Sequence, residues 1–269
     1  MVTIVTSLYD INRESLDGRD WNTYINWFKK TLSIRCPMVI FVDEKTEKIV
    51  NDHRKDVEEK TLVITSQLSQ SPYYSFKERM DIIIDSPEYK NNVKDPDRIE
   101  CKSSLYNIIQ YSKFYWLETA STLNPFNTDF FLWLDAGISR FFDPIGLSLD
   151  SRYPQLASLD REVIKDRMFL QIYMSAYPEL SNSEMLDESY LSDNRSFVTG
   201  GIIMGSGESI SKVKSGIEDI LENLMINKGI INNEQIALGY LIKKNPELFE
   251  FFKNYSGEHK NYEILNHIK

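Results

Sequence analysis

The stretch Phe130-Phe-Leu-Trp-Leu-Asp135-Ala-Gly137 decides the fold, because a wholly apolar run ends directly in a carboxylate followed two residues later by a glycine. A strand that is apolar on both faces is typical of the centre of a parallel sheet covered by helices. Ligands bind at the carboxyl ends of such strands. The sequence therefore predicts that Asp135 holds a divalent metal against phosphates and that Gly137 lets a ligand approach the backbone. An ordinary Asx turn is the alternative interpretation.

Strands and helices alternate in the first half of the predicted fold, which favours right-handed parallel crossovers. The predicted strands are 2–8, 38–42 and 61–65, and the predicted helices are one from Trp21 to Leu32, a charged one within 44–60 and a long one within 101–123 that leads into the Asp135 strand. The second half mixes strands at 168–174 and 197–204 with a helix through 213–224, a helix capped by Asn232 that runs to Lys243, and a tail at 249–269.

The length of 269 residues predicts one large α/β domain, with a nucleotide-binding half at 1–137 and an acceptor-side half with the tail at 138–269. The net charge of −9 argues against a nucleic-acid partner, since a phosphate backbone requires a basic surface. A local basic pocket for one diphosphate is compatible with this charge.

Cys36 and Cys101 are the only cysteines, too few for a disulfide framework or a cysteine-rich metal site. The amino terminus enters the first strand without a basic leader, and no apolar run has membrane-spanning length. We therefore expect a cytoplasmic protein without a transmembrane segment.

Several side chains are candidates for chemistry at the sheet edge. Asp135 and His259, with diphosphate oxygens and waters, would complete an octahedral set for Mn²⁺ or Mg²⁺, although a histidine in a polar tail is also compatible with simple solvation. The cations Arg13, Lys113 and Arg140 are expected near the same edge, where they would bind phosphate or face solvent.

Glycines interrupt a later strand at Thr199-Gly200-Gly201, which indicates either close approach of a ligand or a sharp bend. Glu234 lies at the start of a predicted helix, where it acts as a capping residue or as a catalytic carboxylate.

Several segments together resemble the HtrL/YibB (WlaTC-like) family, which is similar to glycosyltransferases of the GT-A type. They are Thr3-Ile-Val-Thr-Ser-Leu-Tyr9-Asp-Ile-Asn-Arg13, Ser112-Lys113-Phe114, Asn124-Pro-Phe126, Trp133-Leu-Asp135-Ala-Gly137-Ile-Ser-Arg140-Phe-Phe142 and Thr199-Gly-Gly201. The resemblance implies a Rossmann-like, mainly parallel sheet, and it implies that Asp135 corresponds to the metal-binding Asp-x-Asp with Gly137 in place of the second aspartate. Family 8 glycosyltransferases, which are similar in plan, complete their metal site with a carboxyl-terminal histidine, for which His259 is the candidate here.

The resemblance implies a glycosyltransferase (EC 2.4 type) that moves a sugar from a UDP- or GDP-sugar to a glycan or other hydroxyl acceptor with Mn²⁺ or Mg²⁺. The residues expected to bind the nucleoside of the donor are Thr6, Leu8, Tyr9 and Asp43. The diphosphate is expected to lie against Asp135, Ala136, Gly137 and the metal ligand His259, and its charge is expected to be offset by Arg13, Lys113 or Lys260. The acceptor is expected over Thr199, Gly200 and Gly201, with Glu234 or Asp193 as the base. One alternative is a sugar nucleotidyltransferase, although the first strand lacks a glycine-rich phosphate loop. The other is an inactive carbohydrate- or nucleotide-binding relative.

Overall fold

A seven-stranded sheet forms the centre of the molecule; the computed structural model describes residues 2–141, 165–173, 176–182 and 184–253. The strands are β1 (Val2–Leu8), β2 (Met38–Val42), β3 (Thr61–Thr65), β4 (Phe130–Leu134), β5 (Met168–Ile172), β6 (Val198–Gly205) and β7 (Phe249–Lys253). Their order across the sheet is β3-β2-β1-β4-β6-β5-β7. Strands from both sides of residue 137 therefore join one sheet.

Most pairings in the sheet are parallel. β2 pairs in parallel with β1 and β3, and β1 pairs in parallel with β4. β6 is antiparallel to both β4 and β5, and β7 is parallel to β5. The predicted α/β fold with a mainly parallel sheet is confirmed.

Helices cover both faces of the sheet, as a strand buried on both faces requires. They are α1 (Glu14–Asp17), α2 (Trp21–Leu32), α3 (Glu44–Arg54), α4 (Lys77–Asp85), α5 (Pro87–Asn92), α6 (Ser104–Leu123), α7 (Tyr177–Ser181), α8 (Gly207–Asp219) and α9 (Glu234–Lys244). In β4, Phe131 and Trp133 pack into the core beneath α4, α6, α8 and α9, while Leu132 and Leu134 pack into the core beneath α2 and α3. No helix in the described ranges combines the length and the apolar character needed to cross a bilayer.

Two features of the second half differ from the sequence prediction. The residue that caps α9 is Asn233, whose side chain accepts from the Ile236 N–H at 3.2 Å, whereas the side chain of Asn232 donates to the carbonyl oxygens of Leu191 and Asp193. The sequence pattern also missed β7, which the tail prediction absorbed. β7 lies at the edge of the sheet, where it pairs with one strand only, β5.

The strand order reverses next to β1. The chain builds β1, β2 and β3 outward on one side and then returns to add β4 on the other side of β1. In open α/β sheets the crevice at such a reversal, outside the carboxyl ends of the strands, is where ligands bind. The fold therefore directs attention to the ends of β1 and β4.

Candidate functional site

A cavity of about 230 Å³ lies at this reversal. The segments that follow β1 and β4 form two of its walls, and α2 and α6 contribute the others. Its charged lining residues are Asp10, Arg13, Glu14, Arg19, Asp135 and Arg140, and its aromatic lining residues are Tyr9, Trp21, Tyr24, Tyr106 and Trp133. The cavity therefore combines arginines and carboxylates with aromatic rings at the carboxyl edge of a parallel sheet.

Asp135 is the first residue after β4, and its carboxylate is held in one orientation. Trp133 Nε1 donates to Asp135 Oδ1 at 2.7 Å, and the Asp135 N–H donates to the carbonyl oxygen of Gly201 at 3.0 Å. The Trp133 ring is itself fixed by stacking on Trp116, with ring centroids 5.8 Å apart. Because the Asp135 side chain is 38% exposed, a ligand in the cavity can reach it.

Lys113, on α6, lies behind Asp135 in the interior of the protein. Its side chain is 1% exposed, and its ammonium contacts the Gly200 carbonyl oxygen at 2.9 Å, Glu234 Oε1 at 2.6 Å and Asp135 Oδ1 at 3.4 Å. Burial alone would lower the pKa of Lys113, but the attraction of Asp135 and Glu234 outweighs burial and raises this pKa above its usual value. Lys113 is therefore a permanently charged link between the two carboxylates.

These contacts bear on the prediction that Lys113 binds the donor diphosphate, which stays a prediction. An ammonium group has three N–H donors, and Gly200, Glu234 and Asp135 occupy all of them. In this arrangement Lys113 contacts Asp135 from behind, so its charge reaches the cavity next to that carboxylate. The sequence shows a cation near the sheet edge, but it does not show that partners from β6 and α9 close around it.

Glu234 is the first residue of α9 and is completely buried. Oε1 accepts from Lys113, whereas Oε2 has no hydrogen-bond partner among the described residues. The residue that caps α9 is its neighbour Asn233, not Glu234. Since the Glu234 carboxylate is ion-paired and lies outside the cavity lining, its predicted role as a general base is not supported by this geometry.

Asp193, the other predicted base, is also occupied. Its carboxylate accepts from Lys94 Nζ at 2.9 Å and Arg195 Nε at 3.3 Å, and from the N–H groups of Asn194 and Arg195. Burial opposes ionisation of this group, but the hydrogen bonds from Lys94 and the backbone outweigh it, so the pKa of Asp193 lies below its usual value. A carboxylate with a lowered pKa is a weak base.

The predicted acceptor strip, Thr199 to Gly201, lies in β6 and is buried. A Cβ added to Gly200 would lie 2.1 Å from Glu234 Oε1 and 2.9 Å from the Gln235 side chain. Gly200 thus permits α9 to approach β6 closely. Because Thr199 to Gly201 are buried, they offer an acceptor no exposed backbone. Both interpretations of the paired glycines apply in part: the register of β6 against β5 shifts between the Leu170–Ile203 and Ile172–Val198 pairs, which marks an irregularity around the glycines, and the group that approaches closely belongs to the protein itself.

The structure brings together six of the predicted donor residues and separates others. Leu8, Tyr9, Arg13, Ala136 and Gly137 line the cavity with Asp135. Thr6 is fully buried within β1, and Asp43 caps α3 by accepting from the Thr46 N–H at 2.9 Å, so neither is in the cavity lining. His259 and Lys260 lie outside the described residues.

Comparison with known protein families identifies the family of this chain. A family model described as "Bacterial protein of unknown function (HtrL_YibB)" matches residues 1–261. The chain belongs to this family. The family membership confirms the resemblance recognised in the sequence, and the family description assigns no reaction.

Two solved structures are similar to this chain at low identity. One is the apo form of mouse xyloside xylosyltransferase 1, with a TM-score of 0.41 and 8% identity over 93% of this chain and 84% of that chain. The other is the inositol-1-phosphate CTP transferase from T. maritima, with a TM-score of 0.37 and 9% identity over 99% and 94% of the respective chains. No curated protein sequence matches the chain. At these TM-scores the likeness supports no conclusion about chemistry.

The described residues fit a divalent metal only if a bound substrate and water supply most of its ligands. Trp133 and Lys113 both contact Oδ1 of Asp135, so we expect Oδ2 to be the oxygen that binds a further ligand. Within the described ranges there is no cluster of three or more His, Cys, Asp or Glu side chains suited to a metal. Mg²⁺ commonly binds through one or two carboxylates together with substrate phosphates and water. Asp135 therefore fits as one protein ligand of such an ion, and the second predicted ligand, His259, lies outside the described residues.

Proposed function

We propose that this protein is a glycosyltransferase that transfers a sugar from a UDP- or GDP-sugar to a hydroxyl group of a glycan or similar acceptor. The observation that carries the proposal is the position of Asp135: a partly exposed carboxylate at the tip of β4, in a cavity at the reversal of strand order. This is the place where α/β sheets bind nucleotides. The cavity also offers aromatic faces for a base and arginines for phosphate.

The reaction breaks the bond between the anomeric carbon of the sugar and the diphosphate oxygen, and it forms a bond from that carbon to the acceptor oxygen. Positive charge develops on the sugar and negative charge on the departing diphosphate, while the proton of the acceptor hydroxyl passes to the departing diphosphate or to water. Asp135, held by Trp133 and Lys113 through Oδ1, would interact with the departing diphosphate through its other oxygen. A bound divalent ion would supply Lewis-acid stabilisation of the leaving group.

We expect Asp135→Asn to reduce release of nucleoside diphosphate from the active nucleotide sugar by about 100-fold, the usual scale for loss of one electrostatic stabiliser of a transition state. The amide keeps an oxygen that accepts from Trp133 Nε1, so the fold should be retained. The assay uses one panel of UDP- and GDP-sugars and a second panel of nucleoside triphosphates with sugar phosphates, with separate detection of nucleoside diphosphate and pyrophosphate.

The products of these two panels distinguish the candidate functions. Release of nucleoside diphosphate supports glycosyl transfer or donor hydrolysis. Release of pyrophosphate from a nucleoside triphosphate and a sugar phosphate would instead identify a nucleotidyltransferase. Absence of turnover across the panel, with nucleotide binding retained, would identify an inactive binding protein and contradict the proposal.

The metal proposal has its own test. We expect Mn²⁺ or Mg²⁺ to strengthen binding of a nucleoside diphosphate to the wild-type protein and to have little effect on the Asp135→Asn variant, because the amide replaces the anionic ligand. Isothermal titration calorimetry with and without the ion measures this difference. Equal metal enhancement in both proteins would show that Asp135 is not a ligand.

A further inference from the structure

Arg13 and Arg19, two of the arginines that line the cavity, converge on the same pair of side chains. Arg13 Nη1 donates to the Tyr24 hydroxyl at 2.6 Å, and Arg19 Nη1 reaches the same oxygen at 3.4 Å. The Asp17 carboxylate forms an ion pair with Arg13 Nη2 and lies 3.6 Å from Arg19 Nε. One phenol and one carboxylate thus hold together two groups of like charge that would otherwise repel each other.

The rest of the surroundings fixes Arg13 in place and leaves Arg19 accessible. The Arg13 guanidinium lies 4.9 Å from the Tyr106 ring centroid and 5.4 Å from that of Tyr24, within the range of cation–π contacts. Its Nε is buried without a hydrogen-bond partner among the described residues. The Arg13 side chain is 14% exposed and that of Arg19 is 46% exposed. This gives one preorganised guanidinium and one that can move towards a ligand.

We infer that Arg13 and Arg19 form a binding site for a diphosphate group, in which Asp17 is an internal counter-ion that the phosphate displaces. Guanidinium groups bind phosphate oxygens in pairs of parallel hydrogen bonds, and a carboxylate offers the same kind of oxygens. The Asp17 carboxylate therefore marks the position at which the two guanidinium groups bind an anionic oxygen. Only the identification of this anion with the diphosphate of a sugar donor rests on the proposed function.

Asp17 is suited to leave the site. It is the last residue of the four-residue helix α1, and it precedes Gly18, whose backbone adopts the left-handed conformation with φ of 73°. Its side chain is 23% exposed, so the released carboxylate can enter water rather than remain buried without a partner. Because Lys113 is 1% exposed and is not among the lining residues of the cavity, Arg13 and Arg19 are better placed than Lys113 to take the phosphate charge.

The test is calorimetric titration of the whole protein with inorganic pyrophosphate, in the presence of EDTA. We expect Arg19→Gln to weaken binding about tenfold, the lower end of the range for one charge-assisted contact. We expect Asp17→Asn to strengthen binding several-fold, because the internal competitor is lost. This opposite sign separates a displaced counter-ion from a residue that only supports the fold.

Two control variants separate direct contacts from general charge effects. Glu14→Gln removes a negative charge from the same cavity lining, and Arg79→Gln removes a positive charge that is bonded to Asn227 on the surface. Both should change pyrophosphate affinity less than the Asp17 and Arg19 variants. Asp17→Asn that binds no more tightly than Glu14→Gln, or Arg19→Gln that binds like wild type, would overturn the inference.

The inference and the proposed function fail separately. If pyrophosphate binding follows the expected signs but no nucleotide sugar is turned over, the anion site stands and the glycosyltransferase proposal fails. If a nucleotide sugar is turned over while all these variants bind pyrophosphate like wild type, the anion site is wrong.

Discussion

Lys113→Met is expected to lower the free energy of unfolding by about 3–5 kcal/mol at neutral pH, the range for breaking a buried ion pair on one side. The substitution preserves most of the apolar stem but leaves the completely buried Glu234 carboxylate without a counter-charge. Asp135 loses the same partner, but because its side chain is 38% exposed, water can replace part of the interaction. Chemical denaturation followed by tryptophan fluorescence measures the loss.

The pH dependence of this loss identifies its cause. Burial already raises the pKa of Glu234, and Lys113 is the group that opposes this rise. In the variant, a carboxyl whose pKa is higher in the folded than in the unfolded state destabilises the fold above the unfolded pKa and ceases to do so as pH falls towards that value. The difference in stability between wild type and variant should therefore shrink from pH 7 towards about pH 4.3, the ordinary pKa of glutamate.

A matched control is available in Lys243, another buried lysine. Its ammonium donates to the carbonyl oxygens of Glu179 and Asn182 and to Asn182 Oδ1, so Lys243→Met leaves unpaired acceptors but no uncompensated buried charge. We expect a smaller loss with little change between pH 7 and pH 5. The double variant Lys113→Met/Glu234→Leu should recover part of the loss, since apolar replacements of buried ion pairs are often tolerated. Equal, pH-independent losses for the two single lysine variants would contradict a charge-based explanation.

The sequence predicted most of the fold because the decisive signals are local. The apolar runs of β1, β2 and β4 and the helical spacing of α2 and α6 each identify their element without knowledge of the rest of the chain. The ends of these strands then indicated the region of the cavity, including Tyr9, Arg13 and Asp135. Because β1, β2 and β4 are parallel, their carboxyl ends lie at one edge of the sheet, and this was sufficient to predict the position of the cavity.

The contacts inside the site were not predictable in the same way because they join residues that are distant in sequence. Lys113 meets Gly200 and Glu234 at separations of 87 and 121 residues, and no local pattern specifies such a meeting. Gly200 was recognised as a position of close approach, yet the sequence did not show that Glu234 is what approaches it. Arg19 and Tyr24 lie in a loop and at the start of α2, where an arginine and a tyrosine are ordinary surface residues.

Gly200→Ala is the second substitution for which a large effect is expected. The added Cβ would lie 2.1 Å from Glu234 Oε1, so the carboxylate would have to move. Glu234 can move only by giving up its 2.6 Å contact with Lys113, because both side chains are buried. Overpacking alone costs about 1–3 kcal/mol, and disruption of the ion pair adds to this. We therefore expect a loss of at least about 3 kcal/mol in the free energy of unfolding.

Gly205→Ala, in the same strand, is the control for this substitution. Its added Cβ would lie 2.5 Å from Ser209 Oγ, a hydroxyl that can rotate away and whose partners are Ser206 atoms within the same helix cap. We expect a clearly smaller loss of stability than at Gly200. The contrast tests whether the Gly200 effect comes from the neighbouring ion pair rather than from alanine in a buried strand.

The Glu234→Ala background gives the sharper test, because it removes the atom that Gly200→Ala would displace. If the clash with the carboxylate is the cause, adding Gly200→Ala to Glu234→Ala should cost much less than adding it to wild type, and the difference is the coupling energy between the two positions. Gln235 remains 2.9 Å from the added Cβ, so a residual cost is expected. Additive losses would show that the glycine is required by the strand itself. A strong coupling would instead establish that Gly200 permits the Lys113–Glu234 pair to form and, through Lys113, fixes the charge behind Asp135.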